Sequence, residues 1–245
     1  MANSKILFIS ALHGDEGFGV EVLKNIEKNY SKEKYNYDWI IGNPEAYKQN
    51  VRFTQEDLNR IAPGNINSEV YEQKRAAEIV ELSKNYSCVI DIHGTNAQSG
   101  IFTLIPNPKI ENLLLASILP IQNNVIWAAK SSIENGPVTQ FVDCPAVEIE
   151  CGPKTSPEVQ INLEKIIIKI IENQNSEVGS IKENLKNKKF YQVYGSVENT
   201  DTSHMKEFEE TELEGEKFYP LLINSYKTGS TRKMKKINFF DLLSY

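Results

Sequence analysis

A chain of 245 residues is long enough for one large domain with an ample buried core, so folding requires neither disulfides nor a structural metal. Its 27 Lys and Arg are outweighed by 33 Asp and Glu, giving a net charge of −6 with the charges scattered, which excludes a general nucleic-acid binder built on a broad basic face. The 3 cysteines, an odd number without CxxC spacing, exclude a disulfide framework and a cysteine-based zinc site and predict reduced thiols in a cytoplasmic protein.

In chain order, one lysine precedes a short apolar run with no small-residue cleavage pattern, so no signal peptide is predicted. No segment reaches membrane-spanning length; even IIIKII at 166–171 is interrupted by Lys169. Residues 5–10, KILFIS, lack a polar period and predict a strand buried on both faces, and the loop SALHGDEGFG at 10–19 leads into a helix over 17–30. YDWIIG (37–42) predicts a second strand and residues 43–65 a long polar loop. Residues 68–85 predict a helix begun by Ser68, and CVIDIH (88–93) predicts a third strand. Further strands are expected at about 100–105, 123–128 and 145–150, with helices over 108–117 and 156–174.

Strands alternating with helices predict an α/β domain whose mainly parallel sheet is flanked by helices on both faces. In such sheets ligands bind beyond the carboxyl ends of strands, and His13, His93 and Glu150 all fall at or just past such ends. Beyond the polar stretch 172–189 the texture changes to short β-rich runs, FYQVYGSV, KFYPLLINSY and KINFFDLL. Residues 1–180 are therefore expected to form the main domain and 186–245 a small β-rich C-terminal domain leaning over the active face.

Taken alone, His13-Gly-Asp-Glu16 supports little more than a polar turn with the acidic start of a helix, although imidazole and carboxylate also suit half of a zinc site. His93, ending a strand as DIHGT, adds a third ligand and leaves a coordination position open, as catalytic zinc requires. Asp91, two residues earlier on the same side of the strand, is a candidate acceptor for the outer nitrogen of His93. The loop between the second strand and the next helix contributes Arg52, Asp57, Asn59 and Arg60, and its two arginines and asparagine suit recognition of an anionic substrate. In PAVEIECGP both Glu148 and Glu150 lie on one face of a strand, and either suits a general base; Glu150, nearer the turn, is preferred.

The ordered set HGDE, NPEAYKQNVRFTQEDLNR, DIHGT and EIECGP resembles the aspartoacylase and succinylglutamate desuccinylase family, part of the zinc carboxypeptidase-like hydrolases. The resemblance implies a zinc carboxypeptidase-like fold and one Zn2+ per chain, with His13, Glu16 and His93 as ligands and Glu150 as the general base. It further implies that Arg52 polarises the scissile carbonyl, that Asn59 and Arg60 grip a substrate carboxylate, and that Tyr226 of the C-terminal domain closes on the substrate. The implied activity is hydrolysis of the amide bond of a small N-acyl amino acid or related carboxylate-bearing substrate. A metallocarboxypeptidase acting on a peptide or modified peptide is the alternative. The expected partner is a small anionic molecule, not nucleic acid or membrane, and assembly into a homo-oligomer is left open. In one departure, the position where aspartoacylases carry a substrate-binding arginine upstream of the catalytic glutamate is Gln140, which would not grip a second carboxylate in the same way.

Overall fold

Ile6–Ser10 form a strand buried along its whole length, because its alternate side chains enter two different cores. The computed structural model describes residues 5–128, 134–175, 181–198, 200–225 and 229–242. In chain order the elements are β1 (Ile6–Ser10), α1 (Phe18–Glu27), α2 (Lys32–Tyr35), β2 (Tyr37–Ile41), α3 (Pro44–Gln49), α4 (Leu58–Ile61) and α5 (Tyr71–Ser83). There follow β3 (Cys88–Gly94), β4 (Gly100–Ile105), α6 (Ile110–Ile118), β5 (Asn123–Ile126), β6 (Ala146–Gly152) and α7 (Pro157–Glu172). The remainder comprises α8 (Ile181–Leu185), β7 (Lys189–Val197), β8 (Thr211–Leu213), β9 (Glu216–Leu221), β10 (Thr231–Ile237) and α9 (Phe239–Leu242).

The described strands form one sheet in the order β2-β1-β3-β6-β4-β5-β7-β10-β9-β8. Pairing is parallel from β2 to β6, and β4 enters antiparallel to β6. Phe8 with Ile90 and Ile92 packs under α1 and α7, whose buried faces carry Leu23, Ile26, Leu163 and Ile167. Leu7, Ile9 and Val89 face the other way, onto Leu58, Ala76 and Ile79. This two-sided burial is the mainly parallel, helix-flanked sheet expected from the apolar strands.

Element boundaries shift where short polar side chains capture the backbone. The predicted helix from Ser68 begins at Tyr71, because the Ser68 hydroxyl accepts from the Val70 N–H at 3.1 Å and closes a local turn first. The expected polar loop after β2 contains α3 and α4, each begun by a side-chain cap: Asn43 accepts from Ala46 N–H and Asp57 from Asn59 N–H. Buried Glu72 ties the loop to α5, accepting from the Thr54 N–H at 2.8 Å and the Thr54 hydroxyl at 2.6 Å.

The C-terminal β-rich stretch joins this sheet through β7, which pairs in parallel with β5, while β10 and β9 follow antiparallel. Phe102 and Val125 share a third apolar cluster with Tyr191, Leu221 and Met234. That shared cluster brings β10 and the loop after β9 to the carboxyl end of the sheet, where the candidate site lies.

Candidate metal centre and active site

Two strand ends and one tight turn converge on a single carboxylate. After β1 the chain reverses at Ala11, a buried non-glycine residue in the left-handed region with φ of 52°. Such a conformation costs of the order of 1–3 kcal/mol and is held by its surroundings; here Ser10 and Ala11 carbonyls accept from Gly42 and Asn43 N–H groups. The turn that follows is closed by the Glu16 N–H donating to the His13 carbonyl at 3.0 Å, so both side chains turn to the same point. Gly14 permits this, since a Cβ there would overlap the backbone of Ala46 and Tyr47 in α3.

His13, Glu16 and His93 are all buried, and their ligand atoms lie within 4.8 Å of one another. His13 Nδ1 stands 3.0 Å from Glu16 Oε1, and His93 Nδ1 3.3 Å from Glu16 Oε2. Both outer nitrogens are taken by carboxylates: His13 Nε2 donates to Asp57 Oδ1 at 3.1 Å, and His93 Nε2 to Asp91 Oδ2 at 2.7 Å. Each imidazole is thus held by an outer acid with its inner nitrogen aimed at Glu16, the carboxylate–histidine arrangement of metal sites.

The electrostatics fit a divalent cation. Burial would lower the pKa of His13 and of His93, but the carboxylates around them win and raise both above the ordinary histidine value. Burial would raise Glu16, yet hydrogen bonds from His13 and His93 hold it well below the usual carboxylate range. Protons on the two Nδ1 atoms therefore sit where a cation would take their place, with His13, Glu16 and His93 as its ligands.

The arrangement predicted from Asp91 is present, whereas the matching role of Asp57 was not assigned in the sequence reading. Asp57 does double service, since Arg52 donates from Nε and Nη2 to its second oxygen at 3.1 and 3.0 Å. Asp57→Asn is expected to weaken divalent-metal affinity about 10- to 100-fold, measured by chelator competition. Unchanged affinity would confine Asp57 to bracing Arg52.

Glu150 is half-buried on β6 directly opposite His93 in the parallel register. Burial, with Glu16 and Glu148 nearby, pushes its carboxyl up to about 7 against the opposing pull of the two histidines. Glu148, two residues earlier, is buried and accepts from the Thr139 hydroxyl at 3.0 Å. Its pKa is also raised by burial, with His93 and Arg60 pulling the other way.

His13, Glu16, Arg52, Asn59, Arg60, His93 and Glu150 line one cavity of about 690 Å³. Arg52 Nη1 reaches within 4.0 Å of Glu16 Oε1. The buried Asn59 side-chain oxygen Oδ1 accepts from Val138 N–H at 3.2 Å, and Arg60 Nη1 donates to the Asn59 backbone carbonyl at 2.7 Å. Tyr226 lies outside the described residues. Gln140, expected in place of a substrate-binding arginine, is not among the lining residues; it ends a 3-10 turn, and a Cβ on Gly136 would stand 3.0 Å from its buried Oε1.

Sequence reasoning did not assign Trp127, Lys154 or Arg232, which also line the cavity. Lys154 ion-pairs with Asp15 at 2.8 Å, which accounts for an acid without metal-binding chemistry in the HGDE turn. Arg232 lies over the Trp127 ring at 5.1 Å. The Gly152-Pro153 turn signalled Lys154, but Arg232 sits in a basic run with no local sign of facing a cavity. His204 is exposed.

A family model described as succinylglutamate desuccinylase/aspartoacylase catalytic domain matches residues 2–141. The chain belongs to this family. Among curated relatives, a probable aspartoacylase from Prochlorococcus marinus strain AS9601 is 29% identical over 201 residues, covering 76% of this chain and 66% of the relative. A probable aspartoacylase from strain MIT 9215 is 28% identical over the same length and coverage. The match to this family member therefore spans about two thirds of its relatives' own length. Murine aminoacylase 3 superposes with a TM-score of 0.72 at 18% identity, covering 97% of this chain and 96% of that one. Succinylglutamate desuccinylase from Chromobacterium violaceum superposes with a TM-score of 0.68 at 15% identity, covering 97% and 86%. These two likenesses show a shared fold.

Proposed function

We propose that this chain is a zinc-dependent deacylase that hydrolyses the amide bond of a small N-acyl amino acid or a related carboxylate-bearing amide. The observation that carries the reading is the register that sets Glu150 opposite His93, beside a buried ligand triad. Held by His13, Glu16 and His93, one Zn2+ per chain would supply Lewis acidity and a water of lowered pKa. Glu150, with a carboxyl near neutrality, takes the proton of the attacking water and returns it to the departing amine. Arg52, its guanidinium fixed on Asp57, donates toward the carbonyl oxygen as charge develops there. Arg60 and Asn59 grip the free carboxylate, for which a planar guanidinium is suited. Tyr226 is assigned to substrate closure by the resemblance.

The partner in this reading is a small anionic substrate, with no nucleic-acid or membrane surface involved. No helix among the described residues is long and apolar enough to cross a membrane. Cys88, Cys144 and Cys151 are free thiols, which suits the proposed cytoplasmic setting. A hydrolysis screen on the zinc-loaded protein tests the reading. Small N-acyl amino acids should be turned over and longer peptides ignored; preference for peptides would make the enzyme a carboxypeptidase instead.

A further inference from the structure

We propose that Glu148 is the floor of the pocket that receives the side chain of the leaving amino acid, and that this pocket selects an N-acyl diamino acid. The α-carboxylate would rest on Arg60 and Asn59 and the side-chain ammonium on Glu148. The inference rests on the deacylase reading above and names its substrate class.

The sheet register lays out two rows on one face. His93, Glu150 and Phe102 form the first, and Asp91, Glu148 and Leu104 the second. The metal ligand and the base belong to the first row, and the proposed chemistry makes no use of Glu148. Yet Glu148 lines the same cavity as Glu150, Leu104 and Arg60.

The wall above Glu148 ties it to the carboxylate clamp. Thr139 donates to Glu148, the adjoining Val138 N–H donates to Asn59, and Gly136 exchanges backbone hydrogen bonds with Ala62. Gly136, Pro137, Leu104 and Glu148 line the same cavity as Arg60, and in the proposal they receive the side chain of a substrate whose carboxylate Arg60 holds. The Thr139 hydroxyl occupies one of about four acceptor positions of a carboxylate, which leaves acceptor capacity for a substrate donor.

The structural alternative is that Glu148 steadies His93, since it groups with Asp91 and His93 within 4.8 Å. An imidazole has only two ring nitrogens, however, and those of His93 are directed at Asp91 and Glu16. An acidic side chain would meet Glu148 head-on. Of the cavity's other cations, Arg52 is paired with Asp57 and Lys154 with Asp15, and β10, which carries Arg232, is separated from β4 by β5 and β7.

The test compares kcat/KM of the zinc-loaded enzyme for N-acetyl-ornithine, N-acetyl-norvaline and N-acetyl-glutamate, with calorimetric binding of the three free amino acids alongside. The ornithine compounds should lead the norvaline ones by about 10- to 100-fold, the worth of a hydrogen bond to a charged group. Glu148→Gln should erase that ratio while retaining its zinc. Equal or better use of norvaline or glutamate, survival of the ratio in Glu148→Gln, or zinc loss in that variant would overturn the proposal. If no acetyl compound is hydrolysed, either the acyl group is not acetyl or the deacylase reading fails, and in both cases the amino-acid binding series decides the pocket.

Discussion

Glu150→Gln is expected to lower kcat/KM by about 10²- to 10⁴-fold, the contribution of a positioned general base, while zinc content stays that of the parent enzyme. Parallel pairing of β3 with β6 sets Glu150 opposite His93 without making it part of the triad. The amide keeps the size and hydrogen-bonding shape of the acid but cannot accept and return a proton. Because burial pushes Glu150 up to about 7, the substitution also removes a carboxyl whose charged form is costly in that position, so Tm should hold or rise. The pH dependence follows from the same shift. A base works deprotonated, so activity should fall as pH drops through the Glu150 pKa; the bound cation's field lowers that value, placing the acid limb at or below about 7. Activity that stays full in Glu150→Gln would move the base to Glu148, and a rate that increases toward pH 5 would dismiss a carboxylate base altogether.

His93→Ala should lose zinc outright, and with it all turnover. The remaining His13 and Glu16 make two ligands where a catalytic zinc site uses three. The change also strips Asp91, which is fully buried, of the Nε2 donor 2.7 Å away. Removing one member of a buried ionic pair typically costs about 3–5 kcal/mol, so Tm should fall as well. Elemental analysis of the folded fraction, with circular dichroism as the check on folding, separates metal loss from unfolding. A folded His93→Ala protein that keeps about one zinc per chain would exclude the proposed ligand set.

Much of the fold and the site was legible in the chain itself. An apolar run without a polar period identified β1 as a doubly buried strand and CVIDIH as a further strand, which put His13 just past one carboxyl end and His93 at the other. Asp91 was readable because a spacing of two keeps a strand residue on the same side as His93. The caps of α3 and α4 were local signals that the expectation of a polar loop over 43–65 passed over: Asn43 before Pro44, and Asp57 ahead of Leu58.

Other relations were not local. Asp57 and His13 are 44 residues apart, and only the packing of α4 beside the β1 turn makes the acid an outer partner of the imidazole. Gln140 sits in a 3-10 turn with its buried Oε1 beside Gly136 and is not itself among the residues lining the cavity, which its place in the chain did not show. The β-rich C-terminal stretch announced strands but not their neighbours; pairing of β7 with β5 is what brings Arg232 to Trp127. The sequence by itself determined the α/β class, the apolar strands and the residue types able to hold a metal and move a proton, because these depend on periodicity and short spacing. Tertiary structure alone decided which carboxylate backs which histidine, that Glu150 lies opposite His93, and that Glu148 shares a cavity with Arg60. Those facts depend on strand register and on loop contacts between residues distant in the chain.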